Sequence, residues 1–132
     1  MLQFIIINMY IFANHYLKKN KKMTTDSTFA TATVFDILQE IEYSKGGIIS
    51  KQILKNQAGN VTLFSFDKGQ GLSEHTAPFD ALVQIIDGKA EIIIGGKPQI
   101  VKAGELIIMP ANVSHALFAE EQFKMVLTMI KG

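Results

Sequence analysis

Three features of this sequence predict an all-β fold, a closed or double-sheet antiparallel structure. From Gly47 onward the apolar residues fall in short runs of strand length. Glycine, proline, asparagine and aspartate separate those runs at regular intervals, and no helical period recurs after Gly47. At 132 residues the chain fits one domain with a single core.

The chain opens with an apolar block, Leu2 to Leu17, interrupted by Asn8, Asn14 and His15 and followed by four lysines before Met23. A spanning helix needs about 20 apolar residues, and a secretory signal carries its positive charge ahead of the apolar run. The block satisfies neither, so no stable membrane insertion is expected. Two readings stand: a short anchor, or translated upstream sequence ahead of a start at Met23. In both, residues 1–22 stay out of the core and residues 23–132 form the domain.

Residues 24–33 are small and polar and read as an irregular lead-in. Val34, Ile37, Leu38 and Ile41 then recur at helical spacing, with Thr33 and Asp36 as a capping pattern and Gly46-Gly47 as a stop. One short amphipathic helix packed on a sheet is the expectation.

Strands are expected over Ile48 to Leu54 and Val61 to Phe66, with turns over Asn56 to Asn60 and Asp67 to Gly71. Phe79 to Ile86 and Ala90 to Ile94 flank Asp87-Gly88, a dipeptide suited to a tight hairpin, and Gly95-Gly96 suits the next reversal, into Gln99 to Val101. Leu106 to Met109, His115 to Phe118 and Phe123 to Ile130 complete the series. Lys89, Lys97 and Lys102 read as edge protection, and Met109, Met125 and Met129 as core filling. The C-terminal run of Phe118, Phe123, Val126, Leu127 and Ile130, with Ile48 to Leu54, is either ordinary core or a dimer interface.

Composition removes whole classes of function. No cysteine means no disulfide and no thiolate site, which is consistent with the cytoplasm. All 13 basic residues are lysine, so the bidentate fork for phosphates and carboxylates is missing. Without residues 1–22 the chain has 9 lysines against 12 acids, and no nucleic-acid partner is expected.

Two glycine-led stretches each carry one histidine. In the first, Gly69 is followed after five residues by His75, then by Ala77, Ala81 and, six residues further, Gly88. In the second, Gly104 is followed after five residues by Pro110, then by Asn112, His115 and Ala119. The pair resembles the two motifs of the cupin superfamily, here a small single-domain protein of the type-2 conserved-barrel kind. The resemblance covers Gly46 to the C-terminus and implies a double-stranded β-helix or jelly-roll barrel.

In metal-binding members of that family, three histidines and a glutamate hold a divalent ion. Position by position, only His75 and His115 survive, because Ala77 and Ala81 replace the second histidine and the glutamate. The metal motif is therefore degenerate. Asn112 stands where the family has glycine, a mild change because asparagine tolerates a left-handed backbone.

Two neutral imidazoles facing each other across the barrel can hold Fe, Mn, Ni, Zn or Cu, though a third protein ligand is usual. Asp80 and Glu74 are the carboxylates nearest in sequence. Alternation from an inward Ala81 turns Asp80 outward, unless a bulge at Pro78 resets the parity, and Glu74 lies opposite His75. Ser73 and Ser114 lack triad spacing. The expected function is small-molecule binding around His75, His115, Ala77 and Ala81, with or without a loosely held divalent metal, in a cytoplasmic homodimer. The alternatives are a metal-dependent enzyme, an oxygenase or isomerase, and an interaction subunit with an inert interior.

Overall fold

A computed structural model describes residues 29–132, and the reading of residues 1–22 falls outside them. Among the described residues, nine strands form two antiparallel sheets. One contains, in spatial order, β1 (Ile48–Asn56), β2 (Gly59–Phe66), β9 (Phe123–Ile130), β4 (Asp80–Asp87) and β7 (Leu106–Met109). The other contains β3 (Gly71–His75), β8 (His115–Phe118), β5 (Lys89–Ile94) and β6 (Lys97–Lys102). The all-β jelly-roll expectation holds.

Alternation along the strands explains where the core sits. Ala81, Val83 and Ile85 of β4 face inward with Phe64 and Phe66 of β2 and Phe123 and Met125 of β9, while Ile92 and Leu117 close the space from the second sheet. Phe66 and Phe123 stack at 4.6 Å with ring planes 10° apart. Each such buried side chain contributes about 1.5–3 kcal/mol by area.

The short helix expected over Val34 to Ile41 is a single 3-10 turn, Ile37–Gln39. Asp36 is extended and its side chain accepts the Leu38 N–H, so the chain enters the turn from a non-helical residue, and Val34 is 97% exposed. Thr33, the expected cap, donates to the Thr31 carbonyl instead. Threonine and valine before Asp36 are poor helix formers, and nothing packs on Val34 to offset that.

The segment still covers the sheet. Ile41 packs with Leu63 and Val126 on the outer face of the five-stranded sheet, with Ile37, Ile49, Ile53, Val61 and Ile86 around them. Ser65 Oγ donates to the Glu42 carbonyl, Lys124 Nζ donates to the Leu38 carbonyl, and the Tyr43 hydroxyl donates to Asp87. Burial, and then the Asp87 carboxylate, push the Tyr43 phenol up, so it stays protonated and keeps donating.

One other expectation changes. Asp87-Gly88 does not close a hairpin, because β4 pairs with β7 and β9 while β5 pairs with β6 and β8. The dipeptide carries the chain from one sheet to the other. Gly88 has φ +70°, and a Cβ there would lie 2.3 Å from the Gln122 carbonyl oxygen, so glycine is required by space as well as by conformation. The C-terminal run supplies core, since β9 lies between β2 and β4 and buries Phe123 and Val126, while Phe118 and Ile130 stay exposed.

Phe123→Ala is expected to cost about 3–5 kcal/mol, because it empties the centre of the stack between the sheets. Urea unfolding monitored by circular dichroism would show it as a lower midpoint with an unchanged slope.

Candidate functional site

His75 ends β3 and His115 begins β8, and the two are directly paired across those neighbouring strands. A bulge places them so. Leu72 pairs with Leu117 and His75 with His115, so two residues on β3, Ser73 and Glu74, stand opposite one on β8, Ala116. Without that extra residue, Leu72 and His75 would fall on opposite faces; with it, both face inward. Asp80 is exposed and Ala81 buried, so alternation turns Asp80 outward as expected, and the bulge lies at Ser73-Glu74 rather than at Pro78.

The rings meet edge to face, with centroids 4.2 Å apart and planes at 74°, and the residues are only 6% and 4% exposed. The histidines therefore do not face each other across the barrel. They stand side by side on one wall, because β3 and β8 are adjacent in the same sheet.

Each imidazole is oriented by the backbone two residues before it. His75 Nδ1 lies 2.8 Å from the Ser73 carbonyl oxygen, and His115 Nδ1 lies 3.1 Å from that of Val113. A carbonyl only accepts, so in each neutral ring Nδ1 carries the proton and Nε2 the lone pair. Burial first, then repulsion from His75, push the His115 pKa down, and the hydrogen bond to Val113 offsets this in part.

Two connections between the sheets run side by side next to the histidines. Residues 76–79 lead from β3 to β4 and residues 110–114 from β7 to β8. The Asn112 N–H donates to the Ala77 carbonyl and the Ala111 N–H to the Asp80 carboxylate, both at 2.8 Å. Asn112 takes the left-handed backbone its position requires, φ +63°.

Ala77 is half-buried in this loop pair. Ala81 is buried on the opposite wall, paired with Met109 on one side and Met129 on the other. Both methionines pack with the core, as expected. Their position flanking Ala81 escaped sequence reasoning, although Met109, directly before Pro110, was the available signal.

The residues present do not fit the family's divalent-ion site. Among the described residues no three histidine, cysteine, aspartate or glutamate side chains converge. Asp80 is exposed and holds Ala111, while Glu74 is exposed and accepts from Ser114 Oγ at 2.7 Å. Neither carboxylate completes the pair of imidazoles. Ser73 Oγ is buried with no partner among the described residues. A recess lined by Phe29, Phe35, Glu40, Ser50, Lys51 and Gln52 belongs to the N-terminal segment and β1, which carry neither histidine.

His115 ties stability to pH. Its folded pKa lies below the ordinary value of 6.5, so its contribution is complete above about pH 6.5 and is lost as the pH falls from there toward the folded value. Between about pH 7.5 and about pH 5.5 the urea midpoint is expected to fall further for the wild type than for His115→Asn, which has no such proton to take up.

Comparison with known proteins places this geometry. A family model described as "Cupin domain" matches residues 62–131. A conserved protein of unknown function from Streptococcus pyogenes shares 37% identity, with 84% of this chain and 97% of that one covered and a TM-score of 0.77. A cupin 2 conserved barrel domain protein from Leptotrichia buccalis shares 44% identity over 74% of this chain and 47% of that one, with a TM-score of 0.72. A cupin superfamily protein from Desulfitobacterium hafniense, 21% identical, covers 81% of this chain and 98% of its own with a TM-score of 0.75, a likeness of fold. No curated protein matches.

Proposed function

The chain belongs to the cupin family, and we propose that it is a small-molecule-binding cupin whose ligand lies in the barrel against His75 and His115. The observation that carries this reading is the pair of buried imidazoles, each held by the backbone carbonyl two residues before it with Nε2 as the acceptor. Fixed polar groups in an otherwise apolar interior are what orient a small ligand. Ala77 and Ala81 support the reading, since each puts a methyl group where the family's ion site has a larger donor.

A metal-dependent oxygenase or isomerase is the weaker alternative, because two imidazoles fall short of the usual three protein ligands. Protein purified without tag or chelator is expected to carry far less than one metal per chain, measured by elemental analysis. Stoichiometric metal lost with His75→Ala or His115→Ala would establish the enzyme reading instead.

The binding reading is tested by titrating small hydroxylated fragments while following the ring-proton resonances of His75 and His115. Fragments that bind are expected to move both signals, and His115→Ala is expected to weaken them about tenfold, the loss of one hydrogen bond in a dry site. Fragment binding that survives His75→Ala and His115→Ala unchanged would overturn it.

The proposal extends to a cytoplasmic homodimer. Strand β7 is an edge of the five-stranded sheet and exposes Leu106 and Ile108 on one face, without the lysines that guard β6. Light scattering is expected to give twice the chain mass for the wild type and a single chain for Ile108→Lys.

A further inference from the structure

Lys55 on β1 is only 8% exposed, and no part of the proposed reading uses it. The register shows where it points. Lys55 pairs with Asn60, Asn60 with Met129, Met129 with Ala81, and Ala81 with Met109, so these five residues form one row across the five-stranded sheet. Directly paired residues share a face, and Ala81 and Met129 belong to the inner one. A bulge between Gln52 and Leu54 sets this parity, sending Leu54 outward and Lys55 inward.

That row lies at the histidine end of the barrel. Residues 76–80 lead from His75 to Ala81 and residues 110–114 from Met109 to His115, which ties the row to the two histidines. Lys131 is at the same end: its N–H donates to the Ala58 carbonyl, and its Nζ lies 6.0 Å from the Phe79 ring.

Lys55 has no carboxylate partner among the described residues. The salt bridges there are Lys51–Glu40 and Lys68–Glu121, and the charge that acts on Lys55 is a second cation, Lys131. Burial, followed by that repulsion, pushes the Lys55 ammonium down from its ordinary value. A desolvated, uncompensated cation costs stability, and an anion brought to it removes that cost. Asp80 and Glu74 already hold Ala111 and Ser114.

We propose that the ligand of this barrel is a small carboxylate whose charge is taken by Lys55 while its body lies against His75 and His115. The inference rests on the binding reading above and names the class of ligand. A lone lysine offers no bidentate fork to either anion, and a singly charged carboxylate costs less to bring into an apolar interior than a phosphate dianion.

The test titrates the full chain with acetate, butyrate and benzoate, each beside its amide, and with inorganic phosphate, following the His75 and His115 resonances and the melting temperature. At least one acid is expected to bind about tenfold tighter than its amide and tighter than phosphate. Lys55→Met is expected to erase that difference by weakening the acid alone, and to melt above the wild type without ligand, since it removes an unpaired charge from an otherwise buried side chain. Acids and amides that move the histidine signals equally, or a preference for acids that persists in Lys55→Met, would overturn the carboxylate anchor and leave the binding site standing. No response from any probe would overturn both.

Discussion

Everything at the candidate site depends on one constraint: the two connections that carry the chain between sheets must run side by side. The Asn112 N–H on the Ala77 carbonyl and the Ala111 N–H on the Asp80 carboxylate tie them together. These bonds fix where β3 ends and β8 begins, and therefore which residues form the pair at that point. The bulge at Ser73-Glu74 then decides which way His75 faces. Backbone geometry, more than attraction between side chains, brings the two rings together, and a pair so held keeps its arrangement without a metal to organise it.

The same logic separates the two carboxylates from the histidines. Asp80 and Glu74 are neighbours of the site in sequence, yet each serves a backbone or hydroxyl donor on the outer side. Near the imidazoles, Ala81 stands between two thioethers where the family's ion site has a carboxylate. Such a site offers few oxygen ligands to a hard ion.

Much of this was legible in the sequence. Leu106 to Met109, His115 to Phe118 and Phe123 to Ile130 are strands with the expected bounds, because apolar runs bracketed by Gly104, Pro110 and Asn112 leave little freedom. Strand β3 was not singled out, since Gly71, Ser73 and Glu74 hide a five-residue strand that gains its stability from pairing with β8. Asp87-Gly88 signalled the correct backbone conformation and the wrong partner, because a positive φ reports a reversal and not which sheet receives the next strand. The helix failed for a related reason: a spacing of Val34, Ile37, Leu38 and Ile41 also suits an extended strap that touches the sheet only from Ile37 onward. Lys55 could not be placed at all, because a bulge sets its face and one sequence does not reveal bulges.

Ala81 carries an engineering consequence. Its methyl group already points into the barrel from a rigid central strand, and Ala77 sits in the loop pair beside the two imidazoles. Two point changes, Ala77→His and Ala81→Glu, would therefore set the two donors the family's ion site uses on backbone that is already in place.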